Sequence, residues 1–575
     1  MIGTGSCATS VPTAVPDFRG WSRTAFDEAS GSGKYLVLSV QTQWCHWCHV
    51  MNDVTFRDPE VLAILRQHFV VVRVDADQRP DLAERYQRWG WPATGLLTPS
   101  GETIINLKGY REPREFARVL QRVAQLGAKA ADAPDAKPPL DSNAASLRDR
   151  LDASWDATQG GWGSPQKYPR AAPIEYSFST GDAERRNQAL HALDAYAKLI
   201  DPVWGGMFQY SVHSDWEHPH YEKIHAVQAG ALESFVQAYR LLREPRFLAH
   251  ARSIQRYLLE RLSAPQGGFY ANQDADVGRP GDRGHQTGAE FYASSAAQRA
   301  AARPPEIDRH VYANQNGMTI AALVHLHQAT LDPLPLTAAE RAYAAIERDH
   351  RRGAGYTHAA RDADPRLYLS DQVEMACALF ALYETSGDAA YARRLRDLLE
   401  FVSESFEDAR AGGFHAHTRD PDAPAGLAEA LKPAALNARL ARVLLWMARF
   451  DDDASLRTRA ERAVRSADRP LSRELGEVLL ALQELSASYM VVTIVAEPGD
   501  PRAAELRRAA FAAYGPQRHV HSVAPAATHY PYPGDAVAYL CTDDSCSLPL
   551  NDPAQLAAAL GQRIAADGRG IPIAP

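Results

Sequence analysis

The chain has 575 residues, too many for one hydrophobic core, and such a length suggests about two to four domains. A hydrophobic content of 45% with 23% charged residues is ordinary for a globular protein. A net charge of −8 gives no reason to expect nucleic acid or an anionic membrane as partner, and no apolar run approaches the roughly 20 residues of a membrane span.

In chain order, the apolar run at 35–40 reads as a strand, and Trp44-Cys45-His46-Trp47-Cys48-His49 leads from it into a helix. Two cysteines two residues apart, between a strand and a helix start, form the arrangement of a thioredoxin-type redox centre. Unpaired backbone N–H groups and the macrodipole at a helix N-terminus favour an anion. Cys45 is therefore the candidate nucleophile, a thiolate near neutral pH, and Cys48, one turn on, is placed to resolve a mixed disulfide. Trp44, His46, Trp47 and His49 are the supporting side chains, the histidines most effective when protonated.

Two other readings use the same residues. Cys-x-x-Cys-His is also the attachment signature of c-type haem, which needs an exported chain and a haem pocket, and neither is evident. A zinc site would need further ligands, because four packed within five residues do not easily close a tetrahedron. Neither a metal nor a cofactor is expected.

Helices follow at 58–65 and 80–88, strands at 69–75, 94–98 and 103–108, and an amphipathic helix at 114–126. This order resembles a thioredoxin fold over 14–127, an α/β domain in which a cis proline faces the cysteine pair; Pro92, in Gly90-Trp91-Pro92, matches it by position. Residues 128–140 are Ala/Pro-rich without periodicity and read as a linker.

From 141 to 487 apolar residues recur at helical spacing, clearest at 221–242, 247–262, 316–330, 371–385, 391–406, 433–450 and 471–485. Between helices a small motif returns: Gly160-Gly161-Trp162, Gly205-Gly206-Met207-Phe208, Gly267-Gly268-Phe269, Gly353-Ala354-Gly355-Tyr356 and Gly412-Gly413-Phe414. One further copy is expected to have been lost in the longest gap. Six helical hairpins with such loops imply an all-α (α/α)6 toroid, resembling six-hairpin glycosidases and sugar 2-epimerases, whose clefts lie at one mouth. The remainder, 488–575, reads as a small α/β segment in which Cys541 and Cys546 are expected as ordinary thiols; exchange with the N-terminal pair is the alternative.

Polar residues crowd some toroid loops. His220, Glu222, Asp274, Asp276, Asp371 and Glu374 are the candidates for one cleft, where paired carboxylates or His/Glu act as acid and base. The plainer reading makes Ser370 a helix N-cap, Asp371 a first-turn charge, and Asp274 and Asp276 partners of their own turn. Ion pairs to Lys223 or nearby arginines are expected to set their spacing.

The N-terminus lacks a basic-then-apolar signal pattern, and Cys7 is preceded by no apolar segment. Six cysteines are too few for a secreted disulfide framework, so the expected location is cytoplasmic.

Cys45-His46-Trp47-Cys48-His49-Val50-Met51 resembles the signature of the spermatogenesis-associated protein 20 family. Gly90-Trp91-Pro92, Lys167-Tyr168-Pro169, Pro219-His220-Tyr221-Glu222-Lys223, Asp274-Ala275-Asp276, Asn316-Gly317-Met318 and Ala538-Tyr539-Leu540-Cys541 agree with it along most of the chain. The resemblance implies a thioredoxin domain joined to a six-hairpin glycosidase-like domain, with no settled substrate. The sequence departs from it in a lead-in reduced to Phe18-Arg19-Gly20-Trp21, in the shortened Gly288-Ala289-Glu290-Phe291-Tyr292, and before Asn437. The expected function is a thiol–disulfide oxidoreductase acting on a protein or small-molecule disulfide client that the toroid recognises. The alternative is a carbohydrate-active or carbohydrate-binding toroid with an accessory redox domain.

Overall fold

The computed structural model describes residues 15–130, 143–163, 165–279, 281–361, 364–487, 489–512, 515, 518–542 and 545–566. Cys7 and the linker beyond residue 130 lie outside them. The chain divides into two compact units, Met1–Ala136 with Asp420–Ala430, and Lys137–Arg419 with Leu431–Pro575.

The first unit is a thioredoxin-like α/β fold. Its elements are β1 (Phe18–Arg19), α1 (Arg23–Ser32), β2 (Tyr35–Gln41), α2 (His46–Asp53), α3 (Pro59–His68), β3 (Phe69–Asp75), α4 (Pro80–Tyr86), β4 (Ala93–Leu97), β5 (Thr103–Lys108) and α5 (Pro113–Leu126). They build one sheet in the order β1-β3-β2-β4-β5, with β4 antiparallel to both neighbours and β1, β3 and β2 parallel. The sequence reading lacked β1 and α1: a two-residue strand carries no periodicity, and α1 has a weak apolar face.

Because side chains alternate across a strand, the apolar run of β2 feeds two cores. Leu36, Leu38 and Val40 pack with Phe26 and Tyr86 on one face, and Val37 packs with Met51, Phe56 and Phe116 on the other. Asp420–Ala430 completes the first face: Leu427 joins its core, Asp420 accepts from the Trp21 indole at 3.0 Å, and Arg79 bridges Asp81 and Asp420.

The second unit opens with α6 (Ala144–Asp152), then α7 (Ala171–Ser179) and α8 (Ala183–Ala197), the ribbon β6 (Tyr210–Ser211) and β7 (Pro219–His220), and α9 (His225–Leu242) and α10 (Pro245–Tyr257). Two short helices, α11 (Gly288–Tyr292) and α12 (Ala296–Ala301), precede α13 (Ala313–Thr330) and α14 (Pro333–Asp349). The ribbon β8 (Arg351–Arg352) and β9 (Gly355–Tyr356) leads to α15 (Leu369–Ser386) and α16 (Ala389–Phe406), then α17 (Ala434–Asp451), α18 (Ala454–Ser466) and α19 (Leu475–Ser486). Neighbour packing runs α7-α9-α13-α15-α17-α19 and back to α7, a closed ring of six inner helices. Helices α8, α10, α14, α16 and α18 back the inner helix before each, and α6 backs α19. This is the expected toroid. Three strands, β10 (Met490–Val495), β11 (Arg518–Val523) and β12 (Val537–Cys541), with α20 (Pro501–Ala512) and α21 (Pro553–Ala566), form the C-terminal α/β segment, in the order β11-β10-β12.

Each glycine motif joins an outer helix to the next inner one, which sets these loops on one rim. The missing copy is not in the longest gap, which holds α11 and α12, but between α18 and α19. Four loops are held identically. An amide in the first turn of the inner helix accepts from the N–H and donates to the C=O of the residue after the glycines: Gln228 on Met207, Asn316 on Phe269, Gln372 on Tyr356, and Asn437 on Phe414, at 2.7–3.1 Å. The same NH2 also bonds the carbonyl four residues back, at Ile224, Tyr312, Tyr368 and Pro433. Gly268 has φ +78°, and a Cβ there would lie 3.2 Å from Asn316 Oδ1, so both conformation and space call for glycine.

Asn316→Ala leaves a buried N–H and C=O unpaired, at roughly 1–3 kcal/mol each. Urea unfolding should show a loss of about 3 kcal/mol, against less than about 0.5 kcal/mol for Arg393→Ala on the exposed face of α16.

Candidate functional site

The cysteine pair sits where β2 ends and α2 begins. Cys45 is the N-cap of α2, and the Cys48 N–H donates to its Sγ at 3.1 Å. The two are joined as a disulfide with Cα atoms 5.2 Å apart. Cys48 is fully buried, whereas Cys45 keeps 5% of its surface. Ala93 pairs with Val40, so Pro92 enters β4 at the sheet end from which the cysteine loop leaves β2, and Trp91-Pro92 is cis, as expected.

Trp44 is buried and its indole donates to Asp77 at 2.6 Å, which anchors the loop to the end of β3. His49 donates from Nε2 to the Gln43 carbonyl at 2.7 Å, closing the loop on itself. Trp47 is 43% exposed; it stacks on Tyr110 and meets the His46 ring edge-on. Below the pair, Gln41 and Asn52 exchange amide hydrogen bonds, and Arg73 donates to Asn52 at 2.9 Å. The arrangement offers one nearly covered sulfur, a second that is sealed, and an exposed aromatic platform beside them.

The six toroid candidates fall into three groups rather than one. His220 Nδ1 lies 2.8 Å from Glu222, its ring stacks on Tyr210, and Tyr210 stacks on Tyr168. Asp274 and Asp276 belong with them: Asp274 accepts from the Asp276 N–H, and Asp276 accepts from Gly288 at 2.7 Å. Burial pushes the Asp274 carboxyl up to about 8, and the carboxylates of Glu222 and Asp276 add to the push. Asp371 stands apart, its Oδ1 bound by the Asn314 N–H at 3.0 Å and by His358 at 2.9 Å. Glu374 is held by Arg439 at 2.9 Å, and burial, with Glu477 nearby, raises its pKa.

Two smaller expectations are corrected. Ser370 is the second residue of α15, and Tyr368 occupies the N-cap position. Of the expected ion pairs, an arginine partner is present for Glu374, on Arg439, whereas Lys223 pairs with none of the six: its Nζ binds Asp201 at 2.7 Å and the Gly205 carbonyl at 2.8 Å. That pin recurs as Lys167 on Asp156 and Lys432 on Asp408, so it belongs to the loops' architecture.

Sequence reading missed a cavity of about 170 Å³ within the ring, lined from all six inner helices and by Phe511, Arg518 and His519 of the C-terminal segment. Its wall is a charge network: Arg442 meets Glu175, Glu477 and Glu484, and Arg439 meets Glu374. Trp446, its indole on Glu484, supplies an aromatic face. The available signal was Arg439 and Arg442, two charges one turn apart in the apolar segment at 433–450. Cys377 also lines it, its thiol pushed up to about 12 by burial.

The cysteines of the C-terminal segment are not ordinary thiols: Cys541 and Cys546 are joined as a disulfide. Among the described residues no cluster of three or more His, Cys, Asp or Glu is placed to hold a metal ion, and no helix is long and apolar enough to cross a membrane.

Residues 12–136 match a family described as "Thioredox_DsbH: Protein of unknown function, DUF255". Spermatogenesis-associated protein 20 of Rattus norvegicus is 30% identical over 316 residues, 47% of this chain and 39% of that protein. The chain is similar to spermatogenesis-associated protein 20. That likeness was legible in the cysteine motif, and the chain spans about two fifths of the length of the curated relatives it matches. Thioredoxin-like protein slr0233 of Synechocystis is 28% identical over 92 residues, 16% of this chain and 84% of that protein. Among solved structures, cellobiose 2-epimerase from Bacillus thermoamylovorans aligns with a TM-score of 0.44 at 10% identity, covering 60% of this chain and 100% of that one.

A carboxyl raised by folding binds its proton more tightly in the folded state. Its contribution is complete below the unfolded pKa, 3.8, and is lost as pH rises through about 8. Relative to wild type, Asp274→Asn should therefore gain thermal stability steadily between pH 4 and 8; a difference independent of pH would refute the shift.

Proposed function

We propose that the protein is a thiol–disulfide oxidoreductase in which Cys45 is the nucleophile and Cys48 the resolving thiol, with the toroid recognising the client. The observation that carries this reading is the Cys45–Cys48 disulfide at the N-terminus of α2, with Cys45 Sγ already accepting a backbone N–H of that helix. In the reduced state the same N–H and the helix dipole favour a thiolate at Cys45. That thiolate attacks one sulfur of a client disulfide and expels the other as a thiolate. Cys48 then attacks Cys45 in the mixed disulfide, releasing the reduced client and re-forming the pair; two electrons pass to the client. The exposed Trp47–Tyr110 stack is the surface on which the client's backbone and side chains rest. A reducing, cytoplasmic setting is the one in which such a pair delivers electrons. The likeness to a thioredoxin-like protein over 84% of that protein's length supports the same chemistry.

Reduced protein treated briefly with iodoacetamide at pH 7 should label Cys45 ahead of Cys7, Cys377, Cys541 and Cys546, with a thiol pKa within about 3.5–7.5. Cys45→Ser should abolish reduction of a small model disulfide. Equal labelling of all accessible cysteines would remove the reading.

A second reading, a carbohydrate-binding toroid, is favoured by the axial cavity, where paired arginines and glutamates beside Trp446 would suit a neutral polyhydroxyl ligand. Asp274→Asn and Glu222→Gln should leave reduction of the model disulfide unchanged while weakening binding of the natural client. Turnover of a sugar by the wild type, abolished by either change, would reverse the ranking.

A further inference from the structure

The axial cavity of the second unit holds more charge than closing the ring requires. Among the described residues, five glutamates and four arginines line its volume of about 170 Å³. Three of the glutamates converge on one arginine: Arg442 of α17 meets Glu175 of α7 and, at 3.1 and 2.8 Å, Glu477 and Glu484 of α19. Carboxylate is therefore in excess there, and Glu175, with 23% of its side-chain surface uncovered, is the most accessible of the three. Arg439, three residues earlier on α17, is the opposite case. Its Nε lies 2.9 Å from Glu374, while its two terminal nitrogens make no hydrogen bond with any described residue. Nη1 stops 3.9 Å short of Glu477, outside hydrogen-bond range, and the side chain keeps 26% of its surface. An unfilled guanidinium fork is shaped for a carboxylate. Phe380 and Trp446, with ring centroids 4.7 Å apart, line the same cavity with Met318 and Cys377 and give it an apolar face.

We propose that the axial cavity binds a small free α-amino acid, its carboxylate on the Arg439 fork and its ammonium on the surplus carboxylates of Glu175 and Glu477. The proposal goes beyond both readings above. In an α-amino acid the two charged groups stand on one carbon, and in the cavity the Arg439 guanidinium and the Glu477 carboxylate stand side by side without joining. A zwitterion adds no net charge to a site whose ions are costly to desolvate, and each of its ends finds an opposite charge to bond. A neutral polyol would leave the fork unfilled, and a simple carboxylate would meet the excess negative charge around Arg442. A cavity of roughly 150 Å³ holds benzene, so the volume here takes about six to ten non-hydrogen atoms. The apolar face suits an aliphatic or thioether side chain.

Calorimetric titration of the full chain at pH 7 tests this with L-alanine, L-leucine and L-methionine as probes. L-Leucine and L-methionine should bind saturably, and L-alanine more weakly, because it leaves Phe380 and Trp446 uncovered. Two blocked probes separate a free amino acid from a chain terminus. N-acetyl-L-leucine keeps only the carboxylate, as a C-terminal residue does, and L-leucinamide only the ammonium, as an N-terminal residue does. Each should bind at least about tenfold more weakly than L-leucine, the effect of losing hydrogen bonds to one charged group. Arg439→Gln strands Glu374, so the double variant Arg439→Gln, Glu374→Gln, which removes both charges, is the one to titrate; it should melt like the wild type and bind no L-leucine. Absence of saturable binding by all three amino acids would overturn the proposal, as would a blocked probe that binds as tightly as L-leucine or undiminished binding by the double variant. D-Glucose keeps the carbohydrate reading separate: binding of glucose alone would overturn the proposal and leave that reading standing, and binding of neither glucose nor amino acid would remove both.

Discussion

The second unit depends on one repeated interaction, the amide that clamps four of the five glycine turns, each to the inner helix it introduces. The chain leaves an outer helix, reverses through glycines in the left-handed region, and must present the next residue's N–H and C=O inside a packed ring. Buried backbone groups without partners are costly. Gln228, Asn316, Gln372 and Asn437 supply both a donor and an acceptor from one side chain, which a hydroxyl or carboxylate in the same place does less well. The residue so clamped drives its own side chain inward: Met207, Phe269, Tyr356 and Phe414 are all buried. Turn, clamp and core residue are therefore one device, and the ring closes because it is repeated at a constant rim.

The lysine pins serve the same turns from the other side. In three loops an aspartate at the outer-helix end caps the turn, and a lysine from the following stretch binds both it and, in two of them, a glycine carbonyl. This explains why Lys223, in a stretch crowded with ionisable groups, plays no part among the six candidate acids. A fully buried lysine that shares the Asp201 carboxylate with Arg299 is structural by its surroundings. The aspartate stands four residues before its glycine in all three loops, but the lysine follows the aspartate at 11, 22 and 24 residues, so the pin is readable only once the loops are known to be equivalent.

How much was legible followed from how local each feature is. The cysteine motif is local: strand, two cysteines, helix start and the later Trp91-Pro92 occupy positions that a fold of known order assigns, and the structure holds them there. The toroid was legible through helical periodicity and the glycine repeats. Gap length misplaces the missing sixth turn, because the longest gap measures the insertion holding α11 and α12. Asp420–Ala430 was invisible as part of the first unit, since nothing in its composition tells which core Leu427 joins.

The candidate acids show where such reasoning stops. Each stands near a helix start or just after a glycine turn, and sequence position alone sets all six on the same rim. Convergence is a matter of azimuth around the ring as well as height along it. His220, Glu222, Asp274 and Asp276 come from the loops before α9 and α13, adjacent inner helices, and so meet. Asp371 points back to the start of α13, where it completes the helix entry beside His358. Glu374 lies one turn deeper and joins Arg439 of α17 instead. Three residues separate Asp371 from Glu374 along α15, and those three residues decide between a rim hydrogen bond and the charge network of the interior.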